Sequence, residues 1–364
     1  MKTITVHIGN YKTGSTAIQE FIGHNRKRFL ETGYYVPLAG FDGSAHHELI
    51  WSLRDEPFAR SREEVYASLN AEIASCGYPD ILISSEVFFN GLTAKAFRDA
   101  LEGEFRLRII AYLRRQDHFL SAFHQQMIKH WNFRKTEKPT LKQLLNVKAG
   151  HYVESLDRWA AVAGRENIVV RPYEMQQLDQ GLIHDFVTVL GRNPADYEEL
   201  PREKRTNETI HAELIEFLRY ANAIEMSKDE HEALVSALTH LSSITKSTTF
   251  SKRSILSPQE RLTILEQTAA ENETIARTYL GREDGRLFHE PWPEPDEDWS
   301  PVELTQEDIV RIAVGLWLDI RQKSAGLERL AGKVTSIKAV QRLLGDRSRL
   351  LRERGELYRK LRDK

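Results

Sequence analysis

The segment Thr3-Ile4-Thr5-Val6-His7-Ile8-Gly9-Asn10-Tyr11-Lys12-Thr13-Gly14-Ser15-Thr16 constrains this chain more than any other. An apolar run of strand character enters a loop bounded by Gly9 and Gly14, and a helix-compatible run opens on Ser15 and Thr16. Glycine permits the tight backbone turns such a loop needs. The free N–H groups at a helix start, together with the helix dipole, favour a bound anion. Lys12 adds a positive charge inside the loop. The spacing Gly9-x-x-x-x-Gly14 matches the first part of a triphosphate-binding loop, G-x-x-x-x-G-K-[ST]. Ser15 follows Gly14 directly, however, and the lysine stands two residues before that glycine. The loop suits a phosphate without matching ATP and magnesium.

Apolar strand-like runs at 4–8, 34–36, 80–84, 107–113 and 167–171 alternate with helical patterns at 15–31, 62–76, 94–102, 117–129 and 152–163. That alternation predicts an α/β fold, a parallel sheet flanked by helices on both faces. Ligands of such sheets bind beyond the carboxyl ends of the strands, where the Gly9–Gly14 loop would lie. From about residue 181 the pattern is mostly helical. Pro291, Pro293 and Pro295 with Asp296, Glu297 and Asp298 form an acidic, proline-rich break. We expect a catalytic domain over 1–290, a linker over 291–301 and a helical, basic C-terminal extension over 302–364.

Within the extension Leu330, Ile337, Leu344, Leu351 and Tyr358 recur every seven residues, with Val334, Gln341, Ser348 and Gly355 at the companion positions. This predicts either a homo-oligomer through the C-terminal helix or a helix packed on its own body. The formal net charge of −2 hides a division. Residues 321–364 hold fourteen Lys/Arg against five Asp/Glu, whereas residues 1–320 carry a net charge of −11. No run of about 18 apolar residues is present, so no transmembrane segment is expected. The first strand starts by residue 3, which leaves no room for a signal peptide. A single cysteine, Cys76, excludes an internal disulfide and fits a reducing, cytoplasmic setting. No Cys/His spacing suggests a metal, and no aromatic-interleaved basic module suggests a nucleic-acid partner.

A second strand ends in Arg114 and Arg115 and is followed by a helical run carrying Ser121. Arginine binds phosphate through its planar fork, and serine adds a hydroxyl donor. Two anion sites at one sheet edge suit a nucleotide with phosphate at both ends of its nucleoside. A third segment, Ile81-Leu82-Ile83-Ser84-Ser85-Glu86, sets Glu86 just past a core strand, where burial could tune it as a base. His46 and His47 are further base candidates. His7 is expected to brace the loop, and His118 and His124 to pack on their helix. Trp51, Trp131 and Trp159 are candidates for stacking on sugar rings.

These segments resemble the sulfotransferases that use 3'-phosphoadenosine-5'-phosphosulfate (PAPS), over roughly residues 1–290. The resemblance implies the P-loop-like sulfotransferase fold, with no metal. It assigns Gly9, Lys12, Thr13, Gly14, Ser15 and Thr16 to the 5'-phosphosulfate. Arg114 or Arg115 with Ser121 would hold the 3'-phosphate. Arg205, in the basic run Lys204-Arg205-Thr206-Asn207, would close over the nucleotide. The implied reaction moves a sulfuryl group from PAPS to an acceptor hydroxyl, with Lys12 stabilising the leaving group and Glu86, His47 or His46 as base. A carbohydrate or glycolipid acceptor is expected. The competing expectations are a P-loop kinase or NTPase, and a non-catalytic nucleotide-binding scaffold with an oligomerising tail.

Overall fold

The computed structural model describes residues 1–43, 45–199, 210–244 and 253–335. Arg205 and most of the heptad positions of the C-terminal extension lie outside them. The first half of the chain runs β1 (Lys2–His7), α1 (Ser15–His24), α2 (Arg26–Glu31), β2 (Tyr34–Tyr35), α3 (Glu48–Leu53), α4 (Arg62–Ser75), β3 (Asp80–Ser84), α5 (Ala94–Ala100), β4 (Phe105–Leu113) and α6 (Gln116–Lys129). It continues through α7 (Leu141–Leu145), α8 (Tyr152–Ala163), β5 (Ile168–Pro172), α9 (Leu182–Val189), α10 (Ala212–Ala221) and α11 (Lys228–Ile244). The last elements are β6 (Arg253–Ser254), α12 (Pro258–Leu280), β7 (Ser300–Pro301) and α13 (Gln306–Thr335).

β1 to β5 form one sheet in the order β2-β3-β1-β4-β5, every pair parallel. The pleat sends Ile4, Val6, Ile81, Ile83, Ile109 and Ala111 to one face, against Phe88, Phe97 and Trp159. Leu82, Ile110 and Tyr112 face the other way, onto Ile18, Phe21, Phe29 and Phe186. Both faces are therefore covered, as near-continuous apolar strands require. After β1 the chain builds the β3 side of the sheet, then crosses to the β4 side. This reversal opens a crevice at the carboxyl ends of β1 and β4.

The sequence pattern predicts one helix over 15–31, and the structure divides it at Asn25. The Asn25 side-chain amide donates to the carbonyls of Phe21 (3.3 Å) and Glu198 (3.0 Å). A short polar side chain that captures nearby carbonyls competes with the helix. The proline-rich segment 291–301 lies against the body: Arg115 donates to the carbonyls of Glu290 and Pro291, and Ser300–Pro301 pairs with Arg253–Ser254.

α6 joins the sheet to the helices beyond it. Its first turn is fixed by Asp117, whose side chain is fully buried between Arg115, bidentate at 2.9 Å and 2.9 Å, and Arg261 at 3.0 Å. Burial alone would raise the Asp117 pKa. The Arg115 hydrogen bonds and the charges of His118, Arg115 and Arg261 outweigh it and hold the carboxyl below its usual range. Its stabilising contribution is thus complete above the ordinary carboxylate range and is lost as pH falls through the lowered value. Removing one partner of a buried pair strands the other charge. Asp117→Ala should therefore lose about 3–5 kcal/mol in urea unfolding at neutral pH.

Candidate functional site

The loop after β1 is wound left-handed at Gly9 (φ 47°), Lys12 (φ 64°) and Gly14 (φ 77°). A β-carbon at Gly14 would lie 2.3 Å from Leu182 Cδ2, so a side chain there would displace Leu182 and hold a strained backbone angle as well. Lysine has no such freedom; its left-handed backbone costs about 1–2 kcal/mol. Asn10, fully buried, holds the loop from within. Its N–H donates to Thr13 Oγ1 (3.2 Å), the Thr13 hydroxyl returns to the Asn10 carbonyl (2.7 Å), and Asn10 Oδ1 accepts from the Tyr11 N–H (2.7 Å). The Ser15 hydroxyl also turns inward, 3.4 Å from the Asn10 carbonyl. Thr13 and Ser15 therefore spend their hydroxyls on the loop. Among the described residues no protein acceptor takes the N–H groups of Thr13, Gly14, Ser15 and Thr16. These are what the loop offers an anion, with the exposed Thr16 side chain beside them.

Lys12 Nζ donates to Gln126 Oε1 at 2.6 Å, and Arg114 Nη1 donates to the Lys12 carbonyl at 3.1 Å. The Arg114 guanidinium also sits over the Tyr173 ring, 5.9 Å from its centre. Burial, then the charges of Lys129 and Arg114, lower the Lys12 pKa to about 8 against the opposing pull of Glu86. Burial lowers the pKa of Lys129 as well. Lys12, Arg114 and Lys129 thus concentrate positive charge on a loop that presents free N–H groups. Ser121, half-buried, lies on the second turn of α6.

The adjacent arginine does something different. Arg115 is 3% exposed and is consumed by Asp117, Glu290 and the Pro291 carbonyl. It anchors α6 and the proline-rich segment, which leaves Arg114 as the arginine of the crevice. The histidine pair divides likewise. His46 is fully buried; its Nδ1 accepts from the Ser84 N–H (3.2 Å), so its Nε2–H donates to the Pro37 carbonyl (3.1 Å). Burial lowers its pKa to about 4, opposed by those hydrogen bonds. The expectation of His46 as a base is corrected on this geometry: both ring nitrogens are occupied inside the protein.

Glu86 opens a 3₁₀ turn after β3, and its β-carbon flanks the place a side chain at Gly9 would occupy. Its Oε2 accepts from Gln19 Nε2 at 2.5 Å and lies 3.9 Å from His47 Nε2. His47 Nδ1 is 2.7 Å from Ser85 Oγ, so the direction of the Ser85 hydroxyl proton selects the His47 tautomer. His47 stacks at a tilt on Trp51 (5.3 Å), which meets the exposed Phe58 ring edge-on (5.2 Å). Trp159 is instead a core residue and Trp131 stands beside His231 and Arg134. His7 bridges β1 to Ser84 Oγ at 2.8 Å, and its pKa falls to about 3 through burial. His118 pairs with Glu290, and burial lowers the pKa of His124 to about 4.

Gln19, Gln126 and Lys129 escape the sequence reading. Gln126 and Lys129 are one helical turn apart, so they share a face of α6. The usable signal is the direction of α6 itself, which starts just after β4 and carries Gln126 to the Lys12 side chain.

No known family profile matches the chain. A protein of Archaeoglobus fulgidus, described only as uncharacterized, is 26% identical over 233 residues, 63% of this chain and 62% of its own length. The matched region thus spans less than two thirds of that relative. Among solved structures, the sulfotransferase from Alicyclobacillus acidocaldarius aligns with a TM-score of 0.37 and 15% identity, over 66% of this chain and 96% of its own. The sulfotransferase domain from the curacin biosynthetic pathway aligns at 0.32 and 14%, over 74% and 97%. That of the Synechococcus PCC 7002 olefin synthase aligns at 0.30 and 11%, over 74% and 94%. At such scores the α/β assignment rests on the parallel sheet itself.

The lowered Lys12 pKa makes anion binding pH-dependent in a definite direction. Lys12 is charged below about 8 and neutral above it. Sulfate keeps its charge across this range, so its affinity should fall as pH rises from 7 to 9.5, by up to about tenfold per unit beyond the pKa. Lys129→Met should weaken sulfate at pH 7 yet move the fall to higher pH. Calorimetric titration across pH reads both effects; a flat profile would remove Lys12 from the anion site.

Proposed function

We propose that this chain is a sulfotransferase that moves a sulfuryl group from PAPS to an acceptor hydroxyl and releases adenosine 3',5'-bisphosphate. The observation that carries this reading is Lys12. It is held left-handed at the loop crest, between Gln126 and Arg114, beside four free main-chain N–H groups. The N–H groups of Thr13 to Thr16 hold the 5'-phosphate. Lys12 neutralises the charge that grows on the bridging oxygen as its bond to sulfur breaks. Arg114 and Ser121 take the 3'-phosphate, and Arg205 belongs to the same proposal. Acceleration then comes from positioning and from donors already aimed at the developing charge.

The acceptor oxygen forms the new bond to sulfur and gives its proton to Glu86 or to His47, which stand side by side behind Gly9. Gln19 fixes the Glu86 carboxylate. The aromatic wall of Trp51 and Phe58 next to His47 supports an acceptor with a flat ring face, and a carbohydrate or glycolipid is our reading.

Adenosine 3',5'-bisphosphate should raise the melting temperature and ATP with magnesium should not; the reverse would overturn the assignment in favour of a kinase or NTPase. Lys12→Ala should keep its circular dichroism and lose about 10²–10³ in turnover, the scale of one oxyanion-type donor. Arg114→Ala should weaken the bisphosphate much more than it weakens sulfate.

A further inference from the structure

The acceptor side of the site carries a cation that the transfer step does not use. His47, Trp51 and Arg54 follow one another by four and then three residues, so α3 with its two caps presents them on one face. Trp51 stands between the other two, and the ring of Phe58, 68% exposed, extends the aromatic surface beside it. Arg54 is exposed, and its Nη2 donates to the Val87 carbonyl at 3.2 Å. Val87 follows Glu86 in the same 3₁₀ turn. The guanidinium is thus tied to the turn that carries the candidate base. Its charge also reaches the anion loop. Burial and the Glu86 carboxylate raise the pKa of the Tyr11 hydroxyl, and the Arg54 charge opposes them.

That charge is not spent within the protein. Glu48, on the same helix, is taken by Arg60 through two hydrogen bonds of 2.8 Å and 2.7 Å. Glu86 accepts from Gln19. Asp55 and Glu56 follow Arg54 in sequence, yet among the described residues no carboxylate forms an ion pair with it. Its Nε and Nη1 likewise have no protein acceptor among the described residues. A guanidinium anchored by one carbonyl keeps the rest of its fork for a planar anion, and a carboxylate matches that fork with two parallel hydrogen bonds. Glu86 stands nearby, so a single negative charge is tolerated better than the two of a phosphate.

We propose that the acceptor is a ring bearing a carboxylate, such as a sugar acid, and that Arg54 is the residue that selects it. Arg54 holds the carboxylate, Trp51 and Phe58 flank the ring, and a ring hydroxyl faces Glu86 and His47. The inference rests on the sulfotransferase reading and narrows its acceptor. Arg54 touches neither the sulfuryl group nor the reacting oxygen; it fixes which hydroxyl is turned toward the base.

p-Nitrophenyl β-D-glucuronide and its neutral amide carry the same hydroxyls and differ at one charged group. With PAPS as donor, kcat/KM should favour the glucuronide at least tenfold, chiefly through KM. Arg54→Gln should raise the glucuronide KM at least tenfold and bring the two acceptors together. Arg54→Lys, which keeps the charge and loses the fork, should fall between. Salt at about 0.5 M should narrow the wild-type preference, because an exposed ion pair is screened. Calorimetric binding of adenosine 3',5'-bisphosphate separates two failures. If the bisphosphate does not bind and neither sugar is sulfated, the sulfotransferase reading falls and this inference falls with it. If the bisphosphate binds, the carboxylate inference alone is overturned by any of three results: the amide used as well as the glucuronide, neither sugar used, or a preference that survives Arg54→Gln.

Discussion

The left-handed backbone of Lys12 is the constraint on which the site depends. A lysine adopts that conformation only where its surroundings impose it. The imposing groups come from three places: the Asn10–Thr13 hydrogen bonds inside the loop, Gln126 on the side chain and Arg114 on the carbonyl. The last two belong to α6 and to the residue after β4. Loop and helix are thus locked to each other, and the crevice between β1 and β4 has a defined wall. Asp117 makes this possible at a distance, because it fixes the first turn of α6 through Arg115 and Arg261.

Two neighbouring pairs show how a fold assigns unlike work to like residues. Arg114 faces the crevice while Arg115 is buried in an ion network with Asp117 and Glu290. His47 stands beside Glu86 while His46 ties the loop after β2 to the end of β3. In each pair, one residue closes a junction between elements and its neighbour does not. The burial cost of an arginine or a histidine is acceptable only where the partners are fixed, which is why the inward members are so fully bonded.

This division also explains what the sequence can disclose. The sheet, its strands and the anion loop are legible because they rest on local signals: apolar runs, glycine positions and the placement of Lys12 ahead of Gly14. The choice between Arg114 and Arg115 is not, because it is made by Glu290 and Arg261, more than 140 residues away. Thr13 and Ser15 read as hydroxyl donors to a ligand, yet a buried asparagine in the same loop claims both hydroxyls. Lys129 and Gln126 carry no motif at all; they reach the loop because α6 runs along it.

The site is arranged against itself when empty. Lys12 stands near Lys129 and Arg114, and burial adds to their repulsion, so its proton is held loosely. An anion in the loop reverses the balance: it offsets the repulsion on Lys12, raises the Lys12 pKa and draws a proton onto the side chain when pH is near 8. The positive charge of the loop is then completed by the anion it would hold. Glu86 lies close enough to oppose the lowering, so the loop retains part of that charge in its absence. A carboxylate placed there moderates the repulsion among the cations.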